Sequence, residues 1–244
     1  MGEVLRISLW SCPRTVSTAL LRSWVQRPDT TGVDEPFYAW YLSVTGLDHA
    51  MRDEVLAAQA TDWRRVVEEV LLGPCPTPVQ FVKHMAHHLV GDMDLSFASC
   101  TRNVFLIREP RELLPSLRKG LGRVPRLEET GYPRQAELFQ GLREEGEEPL
   151  VLDSRDLLQE PEGLLRALTG ALGLDFDPAM LRWEPGRHPC YGVWAPHWYV
   201  NVERSTGFQP WRPKQESFPP ELESLREAAE PLYRSLHEAR LRPV

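Results

Sequence analysis

Apolar residues fall along this chain in two rhythms. Short runs at residues 4–10 (VLRISLW), 31–34 (TGVD), 78–83 (PVQFVK), 103–108 (NVFLIR) and 150–153 (LVLD) have strand length and turn-forming flanks. Only Arg6 and Ser8 interrupt the first of them. Between the runs, apolar positions recur at helical spacing. Helices are predicted over 17–26, 53–72, 110–119, 162–172 and 218–241, the second with room for a break near Thr61-Asp62. Pro110 suits a first helical turn, and Gly173 suits a helix stop.

Strands that alternate with helices predict an α/β fold. It is a three-layer α/β/α arrangement with a mainly parallel central sheet of about five strands, covered on both faces. No Gly/Ser tract, charge block or repeat divides the chain, so a single domain over 1–244 is expected. Ligands of such sheets sit beyond the carboxyl ends of the strands. Here those ends are residues 11–17, 34–37, 83–88 and 108–111, where the polar side chains gather.

The segment after the first strand reads Ser11-Cys12-Pro13-Arg14-Thr15-Val16-Ser17-Thr18 and leads into a helix. Unpaired N–H groups and the helix dipole make such a start an anion cradle. Arg14 adds full charge, and Thr15, Ser17 and Thr18 add hydroxyls. The nucleotide-triphosphatase loop, G-x-x-x-x-G-K-[ST], is excluded, because residues 11–18 hold neither glycine nor lysine. An ordinary N-cap by Ser17 or Thr18 is the plainer alternative.

Composition narrows the partners. A net charge of −7 argues against a nucleic-acid partner held by bulk electrostatics. Residues 1–6 lack a signal peptide's basic and apolar regions, and no stretch approaches a membrane span. Cys12, Cys75, Cys100 and Cys190 are too scattered for a C-x-x-C site. A cytoplasmic protein with reduced thiols and no membrane partner is expected.

The fourth run ends Ile107-Arg108-Glu109-Pro110 and continues to Ser116, eight residues beyond Arg108. Here the chain resembles the P-loop sulfotransferases, in their bacterial branch. Their 3′-phosphate motif is a strand ending in Arg, a polar residue and Pro, with Ser eight positions after the Arg. Residues 11–18 resemble the family's 5′-phosphosulfate loop, 81–84 its third strand, and 150–174 its fifth strand and following helix.

The resemblance implies a P-loop nucleoside-triphosphate-hydrolase-like sulfotransferase fold. It also implies 3′-phosphoadenosine-5′-phosphosulfate as sulfuryl donor, a small-molecule acceptor with a hydroxyl or amine, and no metal. Arg14, Thr15, Val16, Ser17 and Thr18 would cradle the 5′-phosphate side, with Arg14 also catalytic. Arg108 and Ser116 would hold the 3′-phosphate. Val16 stands where the better-known loops have Gly, and a β-branched residue resists positive φ, so the loop is expected not to copy a geometry that needs it.

Lys83, His87, His88 and Glu35 are the remaining catalytic candidates, with His84 beside them. Histidine titrates in the useful range, whereas some branches of the family place a catalytic Glu after the second strand. His84, His87 and His88 also fall at helical i, i+3, i+4 spacing, which is a metal-ligand spacing. Residues 184–214, rich in aromatics, read as a lid over adenine or an apolar acceptor, or as coil packed on the sheet edge. Residues 128–148 read as a solvated acidic helical face. The alternative function is a sulfotransferase-like protein that binds another phosphorylated ligand, as a metal-free phosphotransferase or a non-catalytic binder.

Overall fold

The computed structural model describes residues 3–213 and 216–244. Met1 and Gly2 of the leader reading, and Lys214 at the end of the expected lid, lie outside the described residues. Strands β1 (Leu5–Ser11), β2 (Thr30–Asp34), β3 (Val79–Met85), β4 (Arg102–Ile107) and β5 (Leu150–Asp153) form an all-parallel sheet in the order β2-β3-β1-β4-β5. Thr30 pairs with Val79 and Asp34 with Lys83, while Val104 pairs with Leu150 and Ile107 with Asp153. Burial of Ile7, Ser8, Leu9 and Trp10 on consecutive β1 positions is the mark of a strand covered on both faces.

Around the sheet lie α1 (Ser17–Trp24), α2 (Tyr38–Thr45), α3 (Arg52–Ala58), the short α4 (Trp63–Arg65), α5 (Pro110–Leu121) and α6 (Tyr132–Glu144). They are followed by α7 (Ser154–Gln159), α8 (Pro161–Ala171), α9 (Ala195–Trp198), α10 (Val200–Glu203) and α11 (Glu223–His237). The predicted helix over 53–72 is broken. Asp62 caps Arg64 N at 2.9 Å, and the chain runs through α4 into a π-helical turn, Val66–Leu71. The C-terminal helix is shorter than its apolar spacing suggested, since Pro220–Leu222 forms a separate 3₁₀ turn. Within 184–214 the regular pieces are α9 and α10.

The segment 128–148, with its acidic excess, is largely helical, as expected. Helix α6 buries Tyr132, Gln135, Leu138, Phe139 and Leu142, and Glu129 just before it is buried on Arg123. The acidic residues of α6, Glu137 and Glu144, are exposed on its other side and form the solvated face expected, from which the buried Glu129 departs.

The chain divides into two compact units. The first holds Met1–Leu9, Thr18–Asn103 and Asp177–Phe208, and the second Trp10–Ser17, Val104–Phe176 and Gln209–Val244. Trp24 stacks on Phe81 at 4.6 Å in the first, and Phe105 meets Phe139 edge-on at 5.5 Å in the second. Helix α11 seats Tyr233 against β5, its hydroxyl donating to Asp153 Oδ2 at 2.8 Å.

Candidate functional site

In the second unit, the loop between β1 and α1 carries backbone strain. Arg14 has φ 66° and Val16 φ 62°, the left-handed region that L-residues avoid. The expectation that Val16 would keep this geometry away is overturned. The surrounding bonds explain how the conformation is paid for. Thr15 is fully buried and donates its hydroxyl proton to the Cys12 carbonyl at 2.7 Å. The Ser154 hydroxyl, at the start of α7, lies 2.8 Å from the Thr15 carbonyl and 2.7 Å from that of Ile107. Gln135 of α6 donates to the carbonyls of Trp10 and Leu106, tying β1 to β4 from beneath. Non-glycine residues persist in this region only where neighbours over-determine it, and such places cluster at ligand sites.

The second sequence motif meets this loop. Arg14 Nε donates to Ser116 Oγ of α5 at 3.0 Å, and Arg108 Nη1 donates to the Arg14 carbonyl at 2.7 Å. Arg108 is braced by Glu112 at 3.1 Å, and Tyr132 donates its phenol proton to the Arg108 carbonyl. Arg14 has no acidic partner among the described residues. Partial desolvation, then the charge of Arg108, lowers its pKa, although a guanidinium stays protonated. Two guanidiniums, one without a counter-charge, beside the first turn of α1 make an anion-binding arrangement. Ser154 and Gln135 were not singled out from sequence, because their roles depend on carbonyls far away in the chain.

The first unit holds a buried ionic cluster. Lys83, at 0% exposure on β3, places Nζ 2.9 Å from Asp34 Oδ1, 2.6 Å from Glu35 Oε1, 2.7 Å from the Tyr199 hydroxyl and 3.2 Å from Thr18 Oγ1. The Tyr199 hydroxyl also lies 2.9 Å from Asp34 Oδ2 and 3.0 Å from Glu35 Oε1, and it accepts from Trp194 Nε1 at 2.9 Å. Glu35 has φ 41°, a third strained non-glycine residue.

One ammonium faces two carboxylates, so the cluster carries an excess negative charge when both are ionised. Burial and the charge of Asp34 raise the Glu35 pKa against the pull of Lys83. Burial pulls the Lys83 pKa down, but Asp34 and Glu35 outweigh it and the net shift is upward. A buried carboxylate with elevated proton affinity is suited to general-base work. Asp34 beside Glu35 at the end of β2 was the sequence signal for this pair of acids. Tyr199 and Trp194, expected in a lid, belong here too.

The histidines are placed otherwise. His84 lies on β3 and His87 and His88 in the 3₁₀ turn Ala86–His88, so the helical i, i+3, i+4 spacing is not realised. His88 is stacked between Tyr38 at 4.8 Å and Tyr41 at 4.7 Å, and His87 meets Tyr41 edge-on at 5.2 Å. Burial pushes His84 down to about 3, and burial followed by neighbouring positive charge pushes His88 well below its usual value. Among the described residues, no group of three or more His, Cys, Asp and Glu is arranged to hold a metal ion. No helix of the described residues is long and apolar enough to cross a membrane.

The family model described as a sulfotransferase domain matches residues 5–240. Two curated relatives from Arabidopsis thaliana, branched-chain-amino-acid aminotransferase-like proteins 1 and 2, are 36% and 34% identical over 97% and 94% of this chain. The chain spans 42% and 41% of their lengths. Among solved structures, the sulfotransferase domain from the curacin biosynthetic pathway superposes with a TM-score of 0.58 at 15% identity, over 100% of both chains. That likeness is one of fold.

Proposed function

Because this chain belongs to the sulfotransferase domain family, we propose that it moves a sulfuryl group from 3′-phosphoadenosine-5′-phosphosulfate to a hydroxyl or amine of a small acceptor. The observation that carries the reading is the direct bond between Arg14 and Ser116, with Arg108 on the Arg14 carbonyl. It joins the two phosphate motifs into one polar constellation whose Arg14 has no counter-ion among the described residues, which fits a doubly phosphorylated nucleotide.

The donor, when bound, supplies the activated sulfuryl group. Arg108 and Ser116 hold the 3′-phosphate. Arg14, with the backbone N–H groups at the start of α1, holds the 5′-phosphate side and takes up charge as the sulfur–oxygen bond to phosphate breaks. Glu35 accepts the proton of the acceptor hydroxyl or amine as the new bond to sulfur forms. Lys83 and Tyr199 fix the Glu35 carboxylate and compensate its charge. His84 and His88, with depressed proton affinity, are poorer bases.

The names of the Arabidopsis relatives suggest a second chemistry. An aminotransferase needs a lysine amine that is neutral when it attacks a carbonyl cofactor. Lys83 lies between two carboxylates that keep it charged.

The test is thermal denaturation with 3′,5′-bisphosphoadenosine. It should raise the melting temperature, and Arg108→Ala should remove the rise. A rise with other nucleotides or sugar phosphates alone would favour a metal-free phosphotransferase or a non-catalytic binder.

A further inference from the structure

Arg22, on the last turn of α1, is only 6% exposed and has no acidic partner among the described residues. Its Nη2 donates to the Glu184 carbonyl at 2.8 Å, while Nε and Nη1 are buried with no hydrogen-bond partner. A buried guanidinium left in this state is costly, because its desolvation is not offset. Two more orphans accompany it: the Tyr191 hydroxyl and Glu203 Oε1 are likewise buried and unpartnered. The guanidinium lies over the Tyr191 ring at 5.9 Å, and the Tyr191 phenol, its pKa raised chiefly by burial, senses both Arg22 and Glu203.

All the partners come from one stretch of chain. An antiparallel bridge between Arg182 and Gly207 closes its base, followed inward by Trp183 N to the Thr206 carbonyl at 3.2 Å and Gly186 N to the Glu203 carbonyl at 2.6 Å. The loop between is fastened at three polar points: Glu184 O on Arg22, Gly192 N on Asp34 Oδ2 at 3.2 Å, and Tyr199 on the Lys83 cluster. The Gly192–Asp34 bond sets this loop against the acidic cluster, and the Cys190 thiol, two residues before, is pushed up to about 12 by burial and then by Asp34.

We propose that Arg22, together with Tyr191 and Glu203 of the 183–206 loop that covers it, recognises the acceptor, and that the acceptor is a small amino- or hydroxy-carboxylate. Arg22 pairs with the ligand's carboxylate, and Glu203 accepts from its neighbouring ammonium or hydroxyl, with Tyr191 between them. The donor set selects this class: an unpartnered guanidinium and an unpartnered carboxylate oxygen complement a ligand carrying both an anion and a donor. A phosphate dianion would face Glu203 and Asp34. Entry requires the loop to lift from its tethers, as lids do on the μs–ms scale. The term acceptor rests on the sulfuryl-transfer reading; the binding does not.

The experiment is thermal shift and calorimetry, without donor, on three sets of probes at millimolar concentration. These are the common L-amino acids, the 2-hydroxy acids with the same side chains, and the amino alcohols that lack the carboxyl group. At least one carboxylate should bind, its amino alcohol should not, and Arg22→Met and Arg22→Gln should weaken binding at least tenfold. The bisphosphoadenosine shift, unchanged in these variants, reports that they are folded. If Arg22→Met does not fold, Tyr191→Phe and Glu203→Gln carry the comparison, each expected to lower affinity severalfold. No binding by any carboxylate, equal binding of the amino alcohols, or binding that survives the substitutions overturns the proposal. Carboxylate binding without a bisphosphoadenosine shift in the wild type would remove the sulfuryl-transfer reading and leave this one standing. The reverse pattern would remove only this one.

Discussion

Arg14 and Ser116, 102 residues apart in sequence, meet through a single hydrogen bond of 3.0 Å from Nε to Oγ. The bond presents the guanidinium with one edge engaged and the rest unpaired by any acid among the described residues, a poised arrangement for an anion. Removing either end should therefore weaken bisphosphoadenosine binding. Ser116→Ala loses a neutral partner and should cost about 1 kcal/mol, roughly fivefold in Kd. Arg14→Ala loses a charged one and should cost about 1.5–3 kcal/mol, roughly ten- to a hundredfold. Calorimetric titration ranks the two, and equal affinities across wild type and both variants would sink the assignment.

Val16, at φ 62°, carries strain that glycine would not. The left-handed conformation costs an L-residue about 1–2 kcal/mol, while glycine gives back roughly 0.4–1 kcal/mol through a looser unfolded chain. Val16→Gly should be stabilising by about 0.5–1 kcal/mol in urea denaturation. A destabilised variant would mean that the valine side chain contributes more through packing than its backbone costs.

Lys83→Met would leave Asp34 and Glu35 buried and facing one another without their cation. Breaking such a pair costs about 3–5 kcal/mol. The loss should be largest near neutral pH and shrink on acidification, as Glu35, whose proton affinity is raised, becomes neutral. Adding Glu35→Gln should restore part of the stability. Denaturation curves at pH 7 and pH 5 provide the comparison, and a pH-independent loss would contradict the electrostatic account.

The raised pKa of Glu35 has a definite sign. Its proton is bound more tightly in the folded protein than in the unfolded chain. The associated stability is therefore full below about 4.5 and is lost as pH rises through the higher folded value. Under the proposed chemistry the base works ionised, so the rate should rise over that same window, with a midpoint above 4.5. Glu35→Gln should remove both the acid limb of the rate profile and nearly all turnover. A limb that persists in the variant would assign the base elsewhere.

All five strands were legible in the chain because buried parallel strands write themselves as short continuous apolar runs. Helix α2 was not, since Tyr38–Thr45 is apolar nearly all round and shows no helical stripe. The buried face of α6 was masked by the acids on its other side. The loop residues and Arg108 could be found locally, as charges and hydroxyls at strand ends. Their bracing by Ser154, Gln135 and Tyr132 could not, because those contacts are with carbonyls that only the fold brings near. Likewise Lys83 announced itself at the end of β3, but its partner Tyr199 comes from 116 residues further on. The histidine spacing misled because a strand followed by a 3₁₀ turn does not rotate side chains as a helix does.

The bridge between Arg182 and Gly207 makes the segment it closes an exchangeable cassette. Its two ends leave the fold at one place, so its interior, apart from the Gly192, Trp194 and Tyr199 anchors on the acidic cluster, can be rewritten while the strands stay as they are. Diversification of what this scaffold accepts can then proceed within one insert, and a library confined to residues 183–206 that keeps those anchors is the economical way to redirect it.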